Sequence, residues 1–137
     1  MFKYLRTMNS SDNAPEIIKM RADDYSSYYE GEVCTVNEVG YLSASLSKSS
    51  PKYLVVEDKK AGDRNKEINC IKILNGMLFE ADLEPASFES MANGRLFPVI
   101  TDANSHHLFV GSSYGDDVEI ISTLNYPYGN KVIVTFI

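Results

Sequence analysis

Short runs of alternating apolar and polar residues follow one another along most of this chain, and that period of two predicts strands rather than helices. The clearest runs from Met77 to Glu84: Met77, Phe79, Ala81 and Leu83 fall on one face of an extended chain, and Glu80, Asp82 and Glu84 on the other. The same reading places strands at 32–36, 41–46, 53–57, 68–74, 77–83, 95–101, 107–110, 118–124 and 131–137. Gly, Asn, Asp and Ser punctuate them every eight to twelve residues or so, the rhythm of an all-β domain. Long amphipathic helical patterns are missing; only residues 85–93, with Ser87 as a cap and Gly94 as a stop, read as a helical turn.

Residues 30–45, EGEVCTVNEVGYLSAS, read as a hairpin turning at Asn37-Glu38-Val39-Gly40. Its expected inner row is Val33 with Val36, then Leu42, Ala44 and Leu46, and its outer row is rich in serine, with Ser43, Ser45 and Ser47. The first dozen residues end in a polar cluster that reads as a loop, with order expected to begin after it. Ala14-Pro15 then leads into an extended run from Glu16 to Ala22, and residues 23–29 read as a helical turn that Gly31 stops. Residues 58–66, DKKAGDRNK, are polar enough to project as a hairpin tip. Many short strands with no helix to cover them predict a mainly β fold: a small single-domain β-barrel, whose closure removes exposed edges, or a sandwich of short antiparallel strands. On this reading 1–30 is an N-terminal arm and lead-in, and 31–137 is the β-rich domain.

The 137 residues are enough to bury a core without metals or disulfides. With 44% hydrophobic and 23% charged residues the composition is that of a globular chain, not a disordered one. A net charge of −6 opposes the phosphate neutralisation on which nucleic-acid binding depends, so no nucleic-acid partner is expected. No stretch reads as a secretory leader, and none approaches the ~20 apolar residues of a membrane-spanning helix, so no membrane partner is expected either. Cys34 and Cys70 lie far apart in apolar stretches and read as small buried hydrophobes; sequence leaves open whether they meet.

Candidate chemistry changes little. His106 and His107 are adjacent, so on a strand they point to opposite faces and cannot together hold one ion; no metal site is assigned. Glu80, Asp82 and Glu84 share a strand face, but an acidic row is more simply the wet side of a sheet than a catalytic pair. Asp116-Asp117 reads as a turn. No nucleophile motif or phosphate loop is present: Gly111-Ser112-Ser113-Tyr114-Gly115 has two glycines and no lysine. The expectation is a protein without catalytic residues or cofactor. Tyrosines are the unusual feature, with Tyr25, Tyr28 and Tyr29 before Gly31 and Tyr126 and Tyr128 before the last strand. They suit core packing or contact with a partner, and a ring-stacking ligand is the alternative.

Several short segments, taken in order, carry a family likeness. Ala14-Pro15-Glu16-Ile17 leads to Tyr29-Glu30-Gly31-Glu32-Val33, then to Val36-Asn37 with Gly40 and Leu42. Pro51-Lys52-Tyr53-Leu54-Val55-Val56 and Met77-Leu78-Phe79-Glu80 follow. The close is Asp116-Asp117-Val118-Glu119-Ile120, then Tyr128-Gly129-Asn130-Lys131-Val132 with Val134 and Phe136. This succession, over roughly 14–137, resembles the small head decoration, or auxiliary capsid, proteins of tailed bacteriophages. The chain departs from the family at Gly129-Asn130-Lys131, where Gly-Asp-Lys is usual, and in its elaborate 58–66 loop.

The resemblance implies a non-enzymatic virion protein, made in the host cytoplasm, that sits on the outside of a phage capsid and stabilises contacts between major capsid subunits. It also implies an N-terminal segment that contacts the capsid, and the partner-contact residues expected on that basis are Ile17, Ile18, Met20, Tyr25, Tyr28 and Tyr29. The implied partner is the major capsid protein, with further copies of the chain itself on the lattice. The alternative function is a small carbohydrate- or ligand-binding β module of a phage tail or fibre that uses the tyrosines.

Overall fold

The computed structural model describes residues 1–8, 15–22, 25–43, 51–64, 66–82, 96–97, 99–101, 108–110, 117–124 and 131–137. These residues form strands and connections, with no helix among them. The chain divides into two compact units, Met1–Asn13 with Leu74–Ile137, and Ala14–Ile73. The segment before Gly31 is therefore shared between the units.

The first unit holds a five-stranded antiparallel sheet in the order β1-β7-β12-β11-β8, made of β1 (Phe2–Thr7), β7 (Met77–Asp82), β12 (Lys131–Phe136), β11 (Val118–Leu124) and β8 (Leu96–Phe97). A separate ladder pairs β9 (Val99–Thr101) with β10 (Leu108–Val110). Period-two alternation puts Phe2, Phe79, Ala81, Val132, Val134, Phe136, Val118 and Ile120 in the core. Phe79 is at its centre, with ring centroids 5.9 Å from Tyr4 and 5.4 Å from Phe136 in edge-on contacts. Two bulges bend the sheet: register slips by one residue at Leu5 in β1 and at Ile121 in β11.

Strand β1 was not expected. The polar cluster after it suggested a loop, but the alternation of Phe2 and Tyr4 with Lys3 is itself a strand signal, and pairing with β7 completes it. Most of the other sequence-derived strands are found within a few residues of their expected limits, and 118–124 coincides with β11, but the single strand expected at 95–101 is two, β8 and β9, which pair in different sheets. The expected helical turn at 85–93, together with Leu83 and Glu84, lies outside the described residues.

In the second unit the order is β2-β6-β5-β3-β4, from β2 (Ile17–Arg21), β6 (Glu67–Lys72), β5 (Tyr53–Val55), β3 (Val33–Val36) and β4 (Leu42–Ser43). Ile18, Met20, Tyr53, Cys34, Val55, Ile68, Cys70 and Leu42 gather with Ala22 and Tyr28 into one core. The outermost strands touch through a single parallel bridge, Ala22 to Leu42. One bridge is not a paired edge, so the sheet stays open. Neither large sheet is a closed barrel, which removes the first of the two expected architectures and leaves the open-sheet one.

The hairpin forms as expected between β3 and β4, with Thr35 opposite Ser43 and Val36 opposite Leu42. One correction concerns its inner row: residues three apart cannot share a strand face, so it is Cys34, not Val33, that joins Val36 and Leu42. Val33 is buried as well, on the opposite face. Ala44, Ser45, Leu46 and Ser47 lie outside the described residues.

Asn37 organises the turn. Its Oδ1 accepts the backbone N–H groups of Val39 and Tyr41, both at 3.0 Å, and its carbonyl accepts that of Gly40 at 2.9 Å. Gly40 has φ +90° with open space where a Cβ would go. Gly40→Ala is therefore expected to cost only the backbone term, about 1–2 kcal/mol, read as a lower urea midpoint with unchanged slope.

Candidate functional site

Residues 26–32 run antiparallel to residues 55–61 and make a corner of the second unit. Tyr28 and Lys59 exchange backbone hydrogen bonds of 2.9 and 2.8 Å, Gly31 N–H reaches the Val55 carbonyl at 2.8 Å, and Val55 N–H reaches that of Glu32 at 2.9 Å. Gly31, at φ +91°, follows Glu30 in a turn closed by Glu32 N–H to the Tyr29 carbonyl at 3.0 Å. A positive φ at the third position of such a turn is the type II requirement that glycine meets. The Asp58 carboxylate accepts the Glu30 N–H at 2.8 Å and ties the turn to the facing segment.

This corner separates the three tyrosines that sequence groups together. Tyr28 is 1% exposed and its hydroxyl donates to the Leu42 carbonyl at 2.8 Å, so it is a core residue. Tyr25 is 84% exposed and Tyr29 37%. Of the three tyrosines expected to contact a partner, solvent thus reaches the outer two and not the middle one.

Lys59 corrects the reading of 58–66 as a polar tip that projects from the surface along its whole length. It is buried, with its Nζ 3.0 Å from the Ser26 carbonyl and 5.9 Å from the Tyr28 ring centroid. The methylene stem packs where an apolar side chain would, while the ammonium finds a carbonyl and a π face. Lys60 through Arg64 are exposed, as expected. Glu32 is also buried, and burial pushes its carboxyl up to about 7, against a backbone hydrogen bond from Tyr29 and with help from the Asp58 charge. Neither residue was singled out by sequence, because Lys59 is held by its bridge to Tyr28 and Glu32 by its pairing with Val55, both contacts between segments distant in the chain.

Ile17, Ile18 and Met20 belong to β2, which lies at one end of its sheet and pairs with β6 from Ile17–Ile71 to Arg21–Glu67. Ile18 and Met20 pack on the core, whereas Ile17 is 51% exposed. Among the described residues the outer side of β2 carries no strand; its neighbour Ala22 alone makes a bridge there, to Leu42. Ile17, Tyr25 and Tyr29 are thus the expected contact residues that solvent reaches.

The other candidate groups are placed as follows. Asp82 on β7 has Lys131 Nζ 2.6 Å from Oδ1 and the Met1 amine 3.0 Å from Oδ2, with Glu80 3.8 Å from the same Nζ. Burial works to raise the Asp82 pKa, but the hydrogen bonds and charges of Lys131 and the Met1 amine outweigh it and hold the carboxyl below the usual range. It remains ionised, as an ion-pair acceptor does and a general acid does not.

Cys34 and Cys70 are free, buried thiols in one core, with β5 between their strands. Burial pushes both thiols up, Cys70 to about 12, so neither supplies thiolate near neutral pH. Among the described residues no three His, Cys, Asp or Glu side chains come together as a metal-ligand set. His106, His107, Gly111 through Asp116, Tyr126 and Tyr128 lie outside the described residues. Compared with protein-family models, with curated proteins and with solved structures, the chain finds no match.

Proposed function

We propose that the protein is a non-enzymatic structural module that binds the outside of a phage capsid and stabilises contacts between major capsid subunits, with β2 as its docking edge. The observation that carries this reading is an edge strand with an exposed Ile17, followed by the exposed rings of Tyr25 and Tyr29. A free edge offers main-chain hydrogen bonds to an added strand, and flanking apolar side chains fix its register. Aromatic anchors of this kind are enriched where binding energy concentrates. The choice of the capsid as partner rests on the resemblance of the order of short segments to head decoration proteins. Repetition on a lattice strengthens individually modest contacts through effective concentration.

The test mixes purified protein with undecorated heads and measures occupancy at lattice points. Binding is expected, and Ile17→Asp with Tyr25→Asp should weaken it by at least about tenfold while leaving stability nearly unchanged, because both side chains are exposed. Heads that stay bare overturn the capsid reading. Binding that ignores both substitutions overturns the docking edge.

A further inference from the structure

The outward-facing row of β2 is Ile17, Lys19 and Arg21, while Ile18 and Met20 face the core. Arg21 has local company: it lies opposite Glu67 on β6, and its guanidinium sits 5.0 Å over the Tyr41 ring. Lys19 lies opposite the neutral Asn69, whose side-chain amide is turned to Glu57 at 3.4 Å, and among the described residues it makes no ion pair of its own. An exposed lysine therefore stands at the middle of a strand whose outer side, among the described residues, is touched only at its Arg21–Ala22 end, in a chain whose net charge is −6. That single cation decides which strand can be added.

A second copy is the first occupant to consider. Antiparallel pairing of β2 with another β2 about its centre sets Lys19 against Lys19, with Ile17 against Arg21 on either side. Like charges directly opposite are destabilising, and an edge lysine is a standard defence against self-pairing. An acidic side chain opposite Lys19 reverses the sign of the same term. Residues on either side of it that face Ile17 and the core-directed Ile18 and Met20 must be apolar to continue the sheet.

Resting on the docking edge proposed above, we infer that the partner of β2 is an extended segment of a different protein, apolar where it faces Ile17, Ile18 and Met20, with one Asp or Glu lying opposite Lys19. The charge selects against self-association and for an acidic strand, and Ile17 selects its apolar neighbour.

The experiment uses the full chain and two labelled valine peptides that differ at one central residue, glutamate in one and lysine in the other, followed by fluorescence anisotropy. The glutamate peptide is expected to bind about tenfold more tightly than the lysine peptide, since an attractive cross-strand pair replaces a repulsive one. The gap should narrow between about 50 and about 300 mM salt, as screening requires at an exposed site. Lys19→Glu should invert the preference and Lys19→Gln should abolish it. Position 19 is exposed, and thermal melts of the two variants check the fold. Equal binding of the two peptides, binding of neither, or a preference untouched at Lys19 each overturns the inference. Heads that bind through Ile17 with no such charge preference would sink this inference alone. Bare heads with a charge-selective β2 would sink the capsid reading alone.

Discussion

Tyr28→Ala is expected to unfold the second unit rather than to delete a contact with a partner. The ring is 1% exposed within the cluster of Ala22, Cys34, Leu42, Val55, Ile68 and Cys70, and Lys59 lies over its face. Truncating a buried aromatic ring costs about 3–5 kcal/mol in lost transfer energy and residual cavity. Loss of the hydroxyl also strips the Leu42 carbonyl of its donor at 2.8 Å, and Leu42 is the residue through which the two outer strands of the sheet touch. A total near 5 kcal/mol is comparable with the whole stability of many domains of this size. Urea titration followed by circular dichroism should show a midpoint drop of about 2 M or a chain already unfolded in buffer. Tyr28→Phe isolates the hydroxyl and should cost about 1 kcal/mol. Tyr25→Ala, at an 84% exposed ring, should stay within about 0.5 kcal/mol of the wild type. A Tyr28→Ala protein that melts like the parent would show that the corner is not part of the cooperative core.

That contrast shows what in the fold could be read from the chain. Period-two runs with a long apolar row, such as Met77, Phe79 and Ala81, and turns with their own chemistry, such as Asn37 to Gly40, are local signals, and the structure follows them. Strand β1 is as local a signal, but its alternation was outweighed by the polar cluster that follows it. The partition into two units depends on pairings such as Phe2 with Ala81, which join the start of the chain to its middle. No window of sequence contains both partners.

The candidate site was legible in part for the same reason. Ile17 alternates with core residues on a run whose extended form was foreseen, so its exposure follows once β2 has an outer side. Tyr25, Tyr28 and Tyr29 look equivalent as letters; only the bridge from Tyr28 to Lys59 distinguishes the buried ring from the exposed ones. The same bridge buries a lysine that composition assigns to solvent. Glu32 lay in full view within the hairpin segment, yet its significance is its burial beside Asp58, which the strand pattern does not encode.

Glu32→Gln is expected to stabilise the protein above neutral pH and to leave it unchanged in mild acid. The folded-state pKa of Glu32 is raised from 4.5 to about 7, so between these values the folded chain holds a proton that the unfolded chain has released. Where the native state binds more protons, stability falls as pH rises. Below about pH 4.5 both states are protonated and the group is neutral in effect; above about pH 7 the buried carboxylate imposes its full penalty, on the order of 3 kcal/mol. Asp82 acts in the opposite sense: its pKa is lowered from 3.8, so its ion pairs support the fold above that value and are lost as pH falls through the folded pKa. The variant shares Asp82 with the parent, so subtraction of the two stability profiles removes that limb and leaves Glu32 alone. Glutamine keeps the shape of the side chain and an oxygen to accept the Tyr29 N–H, and carries no charge to desolvate. Urea midpoints taken at pH 4.5 and pH 8 should therefore coincide for the two proteins at the lower value and separate by about 2–3 kcal/mol in favour of Glu32→Gln at the higher. Parallel profiles across that interval would mean that the Glu32 carboxylate reaches water in the folded chain through opening of the Tyr29–Glu32 turn, and would overturn the pH sensitivity assigned to its burial.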